Sequence, residues 1–265
     1  MFSSTTVISD LNKIRSETPL IHNLTNYVAM NITANALLSI GASPVMAHAL
    51  EEVEDMARLA SAVVINIGTL SPLWVEGMKK AIRAAALKNI PVVLDPVGAG
   101  ATPYRTETAR QLLAAGPVAI IRGNASEIRA LAEASSQTRG VDSLETAEAA
   151  IEAAGLLSRQ FGLVVSVSGP VDYIIRDRDL VGVANGHPLM PRVTGLGCTA
   201  SALTAAFAAV NPDYLLAAAG AMAIMGIAGE LAGENCAGPA SFELAFLDWL
   251  YRLSDQEIRS RLKIK

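Results

Sequence analysis

Four short runs of β-branched and other apolar residues recur along the chain, at 63–67, 92–95, 118–121 and 163–167. A strand that is apolar at every position is covered on both faces. Helical patterns at 72–88, 106–115, 126–134 and 144–161 lie between these runs. Strands that alternate with helices join by right-handed crossovers, which predicts an α/β fold with a mostly parallel central sheet and helices on both faces. After the fourth run, 173–175 and 180–183 flank a polar turn at 176–179 and read as a hairpin. The remainder is predicted helical over 198–210, 214–232, 241–253 and 255–262. A chain of 265 residues with 51% hydrophobic side chains fills one core, and no repeat, low-complexity tract or linker divides it. A single domain over 1–265 is expected.

A formal charge of -4 with scattered Lys and Arg offers no positive field for a phosphate backbone, so nucleic acid is not an expected partner. Cys198 and Cys236 are too few and too far apart for a disulfide framework or a metal cluster, which favours a reducing compartment. Residues 1–19 are polar and lack the pattern of a signal peptide, so a cytoplasmic location is expected. The uncharged stretches 193–210 and 214–229 are long enough to raise a membrane reading. They are rich in Ala, Gly, Ser and Thr and lack basic flanks and aromatic belts, so they read as buried helices of a globular protein with no membrane partner.

Three motifs could carry chemistry. Gly195-Leu196-Gly197-Cys198 leads directly into an apolar helix. Glycine allows several backbone N–H groups to converge on one anion at a helix start, so Gly195, Gly197 and Cys198 are a candidate anion hole; a plain tight turn is the alternative. Asp95-Pro96-Val97-Gly98 follows a strand, where an acidic residue suits a metal or a substrate hydroxyl, unless Asp95 only starts a turn. Arg122-Gly123-Asn124-Ala125-Ser126-Glu127 ends the next strand; its Arg and Glu suit phosphate and water-held Mg²⁺, although Asn124 and Glu127 also fit a capping box.

The order of these motifs resembles the ribokinase-like kinases, whose sugar-kinase members usually carry an aspartate base where this chain has Cys198. Gly195-Leu196-Gly197-Cys198, together with His22-Asn23-Leu24-Thr25-Asn26-Tyr27-Val28 and Gly41-Ala42-Ser43-Pro44-Val45-Met46, resembles the hydroxyethylthiazole kinase family over nearly the whole chain. The resemblance implies ATP-dependent phosphorylation of the hydroxyl of 4-methyl-5-(2-hydroxyethyl)thiazole in thiamine biosynthesis and salvage. It implies Met46 and Gly195, and secondarily Asn26, against the thiazole alcohol; Arg122 and Ser168 against ATP; Asp95 and Glu127 supporting Mg²⁺; and Cys198 as the catalytic residue. It also implies a homotrimer with sites between subunits. Taken without it, Met46 fits a core filler and Asn26 a helix cap. His22, His48 and His187 have no metal-like spacing and are left out of catalysis.

Three positions, in two motifs, depart from the family pattern. Leu196 stands where the family has a small hydroxyl residue, which predicts a lost donor to phosphate, and Ser168 with Pro170 replaces threonine and glutamate. Hydroxymethylpyrimidine or pyridoxal kinases, a nucleotide-dependent dehydratase on the same fold, and a non-catalytic nucleotide-binding protein are the competing readings.

Overall fold

The computed structural model describes residues 1–135 and 147–265. The chain runs α1 (Ser4–Glu17), β1 (Leu20–Leu24), α2 (Met30–Ile40), β2 (Ser43–Val45), α3 (Val53–Leu59), β3 (Ala62–Asn66), α4 (Pro72–Lys88), β4 (Val92–Asp95), α5 (Pro103–Ala114), β5 (Ile120–Asn124) and α6 (Ala125–Ser135). It continues with α7 (Ala147–Phe161), β6 (Val164–Ser168), β7 (Asp172–Arg176), β8 (Asp179–Val183), α8 (Leu196–Val210), α9 (Tyr214–Gly233), α10 (Pro239–Arg252) and α11 (Asp255–Arg261). One sheet has the order β2-β1-β3-β4-β5-β6-β7-β8. Strands β1 to β6 pair in parallel, and the β7–β8 hairpin is added antiparallel to β6.

Alternation along each strand sends neighbouring side chains to opposite cores. Val64, Val93 and Val164 face one cluster with Leu37 of α2, Phe207 of α8 and Met222 of α9, while Val63, Leu94 and Val165 face another with Met78 of α4, Leu112 of α5 and Leu157 of α7. Helix α4 begins and ends where its sequence dictates: Ser71 Oγ accepts the Trp74 N–H, Pro72 takes the first helical position, and Asn89 closes the helix in the left-handed region at φ +59°. Helix α9 is long and apolar enough to cross a membrane, yet 89% of its most apolar window is buried inside the protein. It is a core helix, and the segment carrying Asn185, His187 and Met190 lies along its Gly226, Gly229 and Gly233.

Several boundaries differ from expectation. The run at 118–121 becomes a strand that extends to Asn124, because Arg122 to Asn124 continue in register with Ser166 to Ser168 of β6. The helix expected from 106 starts at Pro103, where Thr102 Oγ1 accepts the Arg105 N–H. The part of the expected 144–161 helix before Ala147 lies outside the described residues. The five elements before β3 carried no apolar run to announce them: β1 includes buried His22 and Asn23, and β2 is a three-residue edge strand containing Pro44.

Candidate active site

The carboxyl ends of the parallel strands meet the start of α8, the crevice where open α/β sheets bind ligands. Gly195 is the N-cap of α8 at φ +85°, and the first intrahelical bond runs from the Thr199 N–H to the Gly195 carbonyl at 2.8 Å. The N–H groups of Leu196, Gly197 and Cys198 precede that bond, so helix geometry leaves them without intrahelical acceptors. A Cβ at residue 195 would stand 2.8 Å from Ile32 Cγ2 of α2, so glycine serves both the left-handed backbone and the close approach of α2 to α8. The side chain of Leu196 points away from this turn: it is buried in the core with α8 and α9. The departure at 196 is thus a packing residue, and the backbone donors stay.

Asp95, 1% exposed at the end of β4, accepts hydrogen bonds at Oδ2 from Asn66 Nδ2 and Ser201 Oγ, both 2.7 Å. Its partners come from β3 and α8, not from its own turn, which sets aside the turn-initiating reading. Burial pushes its carboxyl up to about 6, against the opposing pull of the Arg122 guanidinium and the Ser201 hydroxyl. Asn26 Nδ2 donates to Asn66 Oδ1 at 2.9 Å and to Cys198 Sγ at 3.1 Å, while its Oδ1 accepts the Ala29 N–H at 3.1 Å. Asn26 does not cap α2, whose N-cap is Ala29 without a side-chain cap bond; its oxygen instead holds the turn just ahead of that helix, and its nitrogen faces the site. Burial, and then the charge of Asp95, push the Cys198 thiol up, with Asn26, Asn66 and Arg122 opposing.

Arg122 joins three elements. Its Nη1 donates to the Gly197 carbonyl at 2.9 Å and its Nη2 to Ser168 Oγ at 2.7 Å, so the β5 and β6 ends are tied to the glycine turn. Ser168 Oγ in turn donates to the Gly123 carbonyl at 3.1 Å. Next to exposed Pro170, Asp172 accepts the Gly169 N–H at 3.1 Å, and burial pushes its carboxyl up to about 6. Glu127 does form the capping box, its Oε2 accepting the Asn124 N–H while Asn124 Oδ1 accepts the Glu127 N–H, each at 2.9 Å. Its second oxygen crosses to the Gly98 N–H at 2.8 Å and so links the loops after β4 and β5.

Met46 lies apart from this network, just after edge strand β2. The segment that carries it is pinned by buried His22, whose Nε2 bonds the Ala47 carbonyl at 2.6 Å, and by His48, which stacks on Trp74 at 4.5 Å between ring centroids. Among the sequence candidates, the fold links Asn26, Asp95, Arg122, Ser168, Gly197 and Cys198 directly or through one intermediary. Asn66 and Ser201 belong to the same network and were not anticipated. Ser201, three residues after Cys198 on an apolar helix, was the one with a readable signal: buried hydroxyls need partners.

The Asp95 and Glu127 carboxylates are close enough for the charge of Glu127 to oppose ionisation of Asp95, and both hydrogen bonds to Asp95 fall on Oδ2. That pair suits Mg²⁺, which keeps several waters and takes one or two protein carboxylates beside substrate phosphates. Among the described residues no cluster of three or more acidic, His or Cys side chains could form an all-protein cage.

Comparison with known proteins identifies the fold and the family. The chain superposes on the structure of hydroxyethylthiazole kinase protein from Pyrococcus horikoshii OT3 with a TM-score of 0.92 at 46% identity, over 98% of each chain. A Staphylococcus aureus pyridoxal kinase, at 16% identity and TM-score 0.60 over 80% of this chain and 88% of that one, shares the fold alone, as does an Enterococcus faecalis ribokinase-like superfamily protein at 13% and 0.67 over 94% of each. The hydroxyethylthiazole kinase of Syntrophus aciditrophicus (strain SB) is 61% identical over 95% of this chain and 93% of its own length. That of Leptospira biflexa serovar Patoc is 54% identical over 97% of each. With the hydroxyethylthiazole kinase family model matching residues 11–256, the strand-end network and the glycine turn stand on a ribokinase-like fold, and the chain belongs to the hydroxyethylthiazole kinase family.

Proposed function

We propose that the chain is a kinase that transfers the γ-phosphoryl group of ATP to the hydroxyl of 4-methyl-5-(2-hydroxyethyl)thiazole, acting as one catalytic unit over 1–265 in the cytoplasm. The observation that carries the site assignment is the bridge from Arg122 to Gly197, which ties the nucleotide side to the turn that presents Cys198. In an in-line transfer the alcohol oxygen bonds to the γ-phosphorus as the bond to the departing ADP oxygen breaks. The transition state is loose and its charge lies on phosphoryl oxygens, so positioning and electrostatic stabilisation dominate. The first-turn N–H groups of α8 and the Arg122 guanidinium supply that stabilisation, with Ser168 on the nucleotide side and Met46 and Gly195 on the thiazole side. Asp95 and Glu127 would hold Mg²⁺, Glu127 through water, and the ion supplies charge neutralisation at the phosphates. The test is ADP release measured across thiazole, pyrimidine and pyridoxal alcohols, with phosphate placement read by mass spectrometry; release with thiazole absent, or only with another alcohol, overturns the reading.

Burial pushes the Cys198 thiol up and so opposes the thiolate that would accept the alcohol proton, which keeps its contribution modest. Cys198→Ala lowers kcat by about 10²-fold or less, the lower end of what base catalysis supplies, and leaves ATP affinity unchanged. Cys198→Asp keeps more activity than alanine, since a carboxylate can accept the proton from the same place. If alanine is silent and a folded aspartate variant inactive, Cys198 only packs the helix start.

The homotrimer with shared sites is supported by the position of Met46 beside an edge strand and by the exposure nearby of Tyr27, which meets Trp74 edge-on. Light scattering at micromolar concentration then reports about three times the 27.7 kDa chain mass. A fully active monomer refutes it.

A further inference from the structure

The buried amide of Asn66 has a fixed orientation, because its Oδ1 accepts the Gly68 backbone N–H at 2.9 Å and a backbone N–H can only donate. The amide of Asn26 is fixed in the same way by the Ala29 N–H on its Oδ1. The two amides can therefore meet in one sense only, Asn26 Nδ2 toward Asn66 Oδ1. This leaves the second Asn26 N–H for Cys198, whose sulfur is the acceptor. Gly68 presses on this arrangement from the other side: a Cβ there would lie 2.6 Å from Asn26 Nδ2. Its backbone cannot retreat, because Arg105 of α5 holds the Gly68 carbonyl through Nη2 at 2.9 Å and the Ile67 and Val97 carbonyls through Nη1 at 2.8 Å. Residue 68 is not in the left-handed region, so its glycine answers to the space for Asn26.

We infer that Asn66 and Gly68 are positioning residues that hold Asn26 as the hydrogen-bond donor to Cys198, and that Asn26 serves the reaction through this bond. The inference rests on the reading of Cys198 as part of the reacting site. The bond takes up one acceptor site of the sulfur on the Asn26 side and so fixes the side from which Cys198 is held.

A double-mutant cycle tests this. Gly68→Ala, which displaces Asn26, lowers kcat about tenfold with the KM for ATP within twofold of wild type; in a Cys198→Ala background the same substitution changes kcat less than twofold. Asn26→Asp keeps the acceptor for the Ala29 N–H and loses both donors, and it gives the same cycle should Gly68→Ala not fold by circular dichroism. Equal losses with and without Cys198, or a folded Gly68→Ala enzyme with wild-type kcat, overturn the inference while leaving Cys198 in place. If Asn26 instead touches the substrate, Asn26→Asp raises the KM for thiazole in both backgrounds, which also overturns it. A Cys198→Ala enzyme as active as wild type removes the underlying reading and the inference together.

Discussion

Asp95→Asn lowers kcat by about 10³-fold and does not destabilise the protein at pH 7.5. The loss follows from removing a carboxylate from the phosphate side of the site, where metal and electrostatic stabilisation supply several kcal/mol. The retained stability follows from the contacts. An asparagine oxygen accepts from Asn66 Nδ2 and Ser201 Oγ as the carboxylate does, and the buried charge disappears. The pH dependence has a definite sign. The folded state holds the Asp95 proton up to about pH 6 and the unfolded chain only to about 3.8, so between those values the folded state binds more protons. The contribution of Asp95 to stability therefore falls as pH rises through that window and stays low above it, by on the order of 3 kcal/mol. In metal-free buffer, Asp95→Asn should melt above wild type at pH 7.5, and the gap should close toward pH 4. Thermal unfolding of both proteins across pH, with kcat at pH 7.5, decides it; a folded variant with wild-type kcat would exclude Asp95 from the reaction.

Arg122→Ala should raise the KM for ATP and lower kcat/KM for ATP by about 10²- to 10³-fold while thiazole affinity changes less than threefold. Charge-assisted hydrogen bonds from a guanidinium to phosphate contribute about 3–4 kcal/mol together, and each 1.4 kcal/mol is tenfold. The substitution also frees Ser168 Oγ and the Gly197 carbonyl, loosening two parts of the same side of the site. Arg122→Lys falls between the two, because it keeps the charge and loses the fork that reaches β6 and the α8 turn at once. Separate calorimetric titrations of ATP and of the thiazole alcohol distinguish the outcomes. Equal loss of both affinities, or a loss confined to thiazole, would place Arg122 on the other side of the site.

Where the signal was local, the sequence carried it. The apolar runs at the centre of the sheet appear as β3, β4, β5 and β6, and 72–88 is a helix to the residue because Ser71, Pro72 and Asn89 mark its ends. The first 60 residues were legible only through motifs. In β1, His22 and Asn23 interrupt the apolar pattern, and what makes the strand is pairing with β2 and β3 on either side. Glu127 shows how one local signal can be right and incomplete: its spacing from Asn124 announced the capping box, while its bond to Gly98 crosses to another strand end.

By itself the sequence determined the alternation of strand and helix, the core identity of α8 and α9, and the glycine turn that opens a helix with Cys198 in its first turn. These depend on periodicity and on backbone preferences within a few residues. Only the tertiary structure decided which polar groups meet: Asn26 with Cys198 across 172 residues, Ser201 with Asp95 across 106, and Asn66 between Asn26 and Asp95. The direction of a buried amide is set by whichever donor or acceptor the fold brings against it, and no spacing along the chain encodes that.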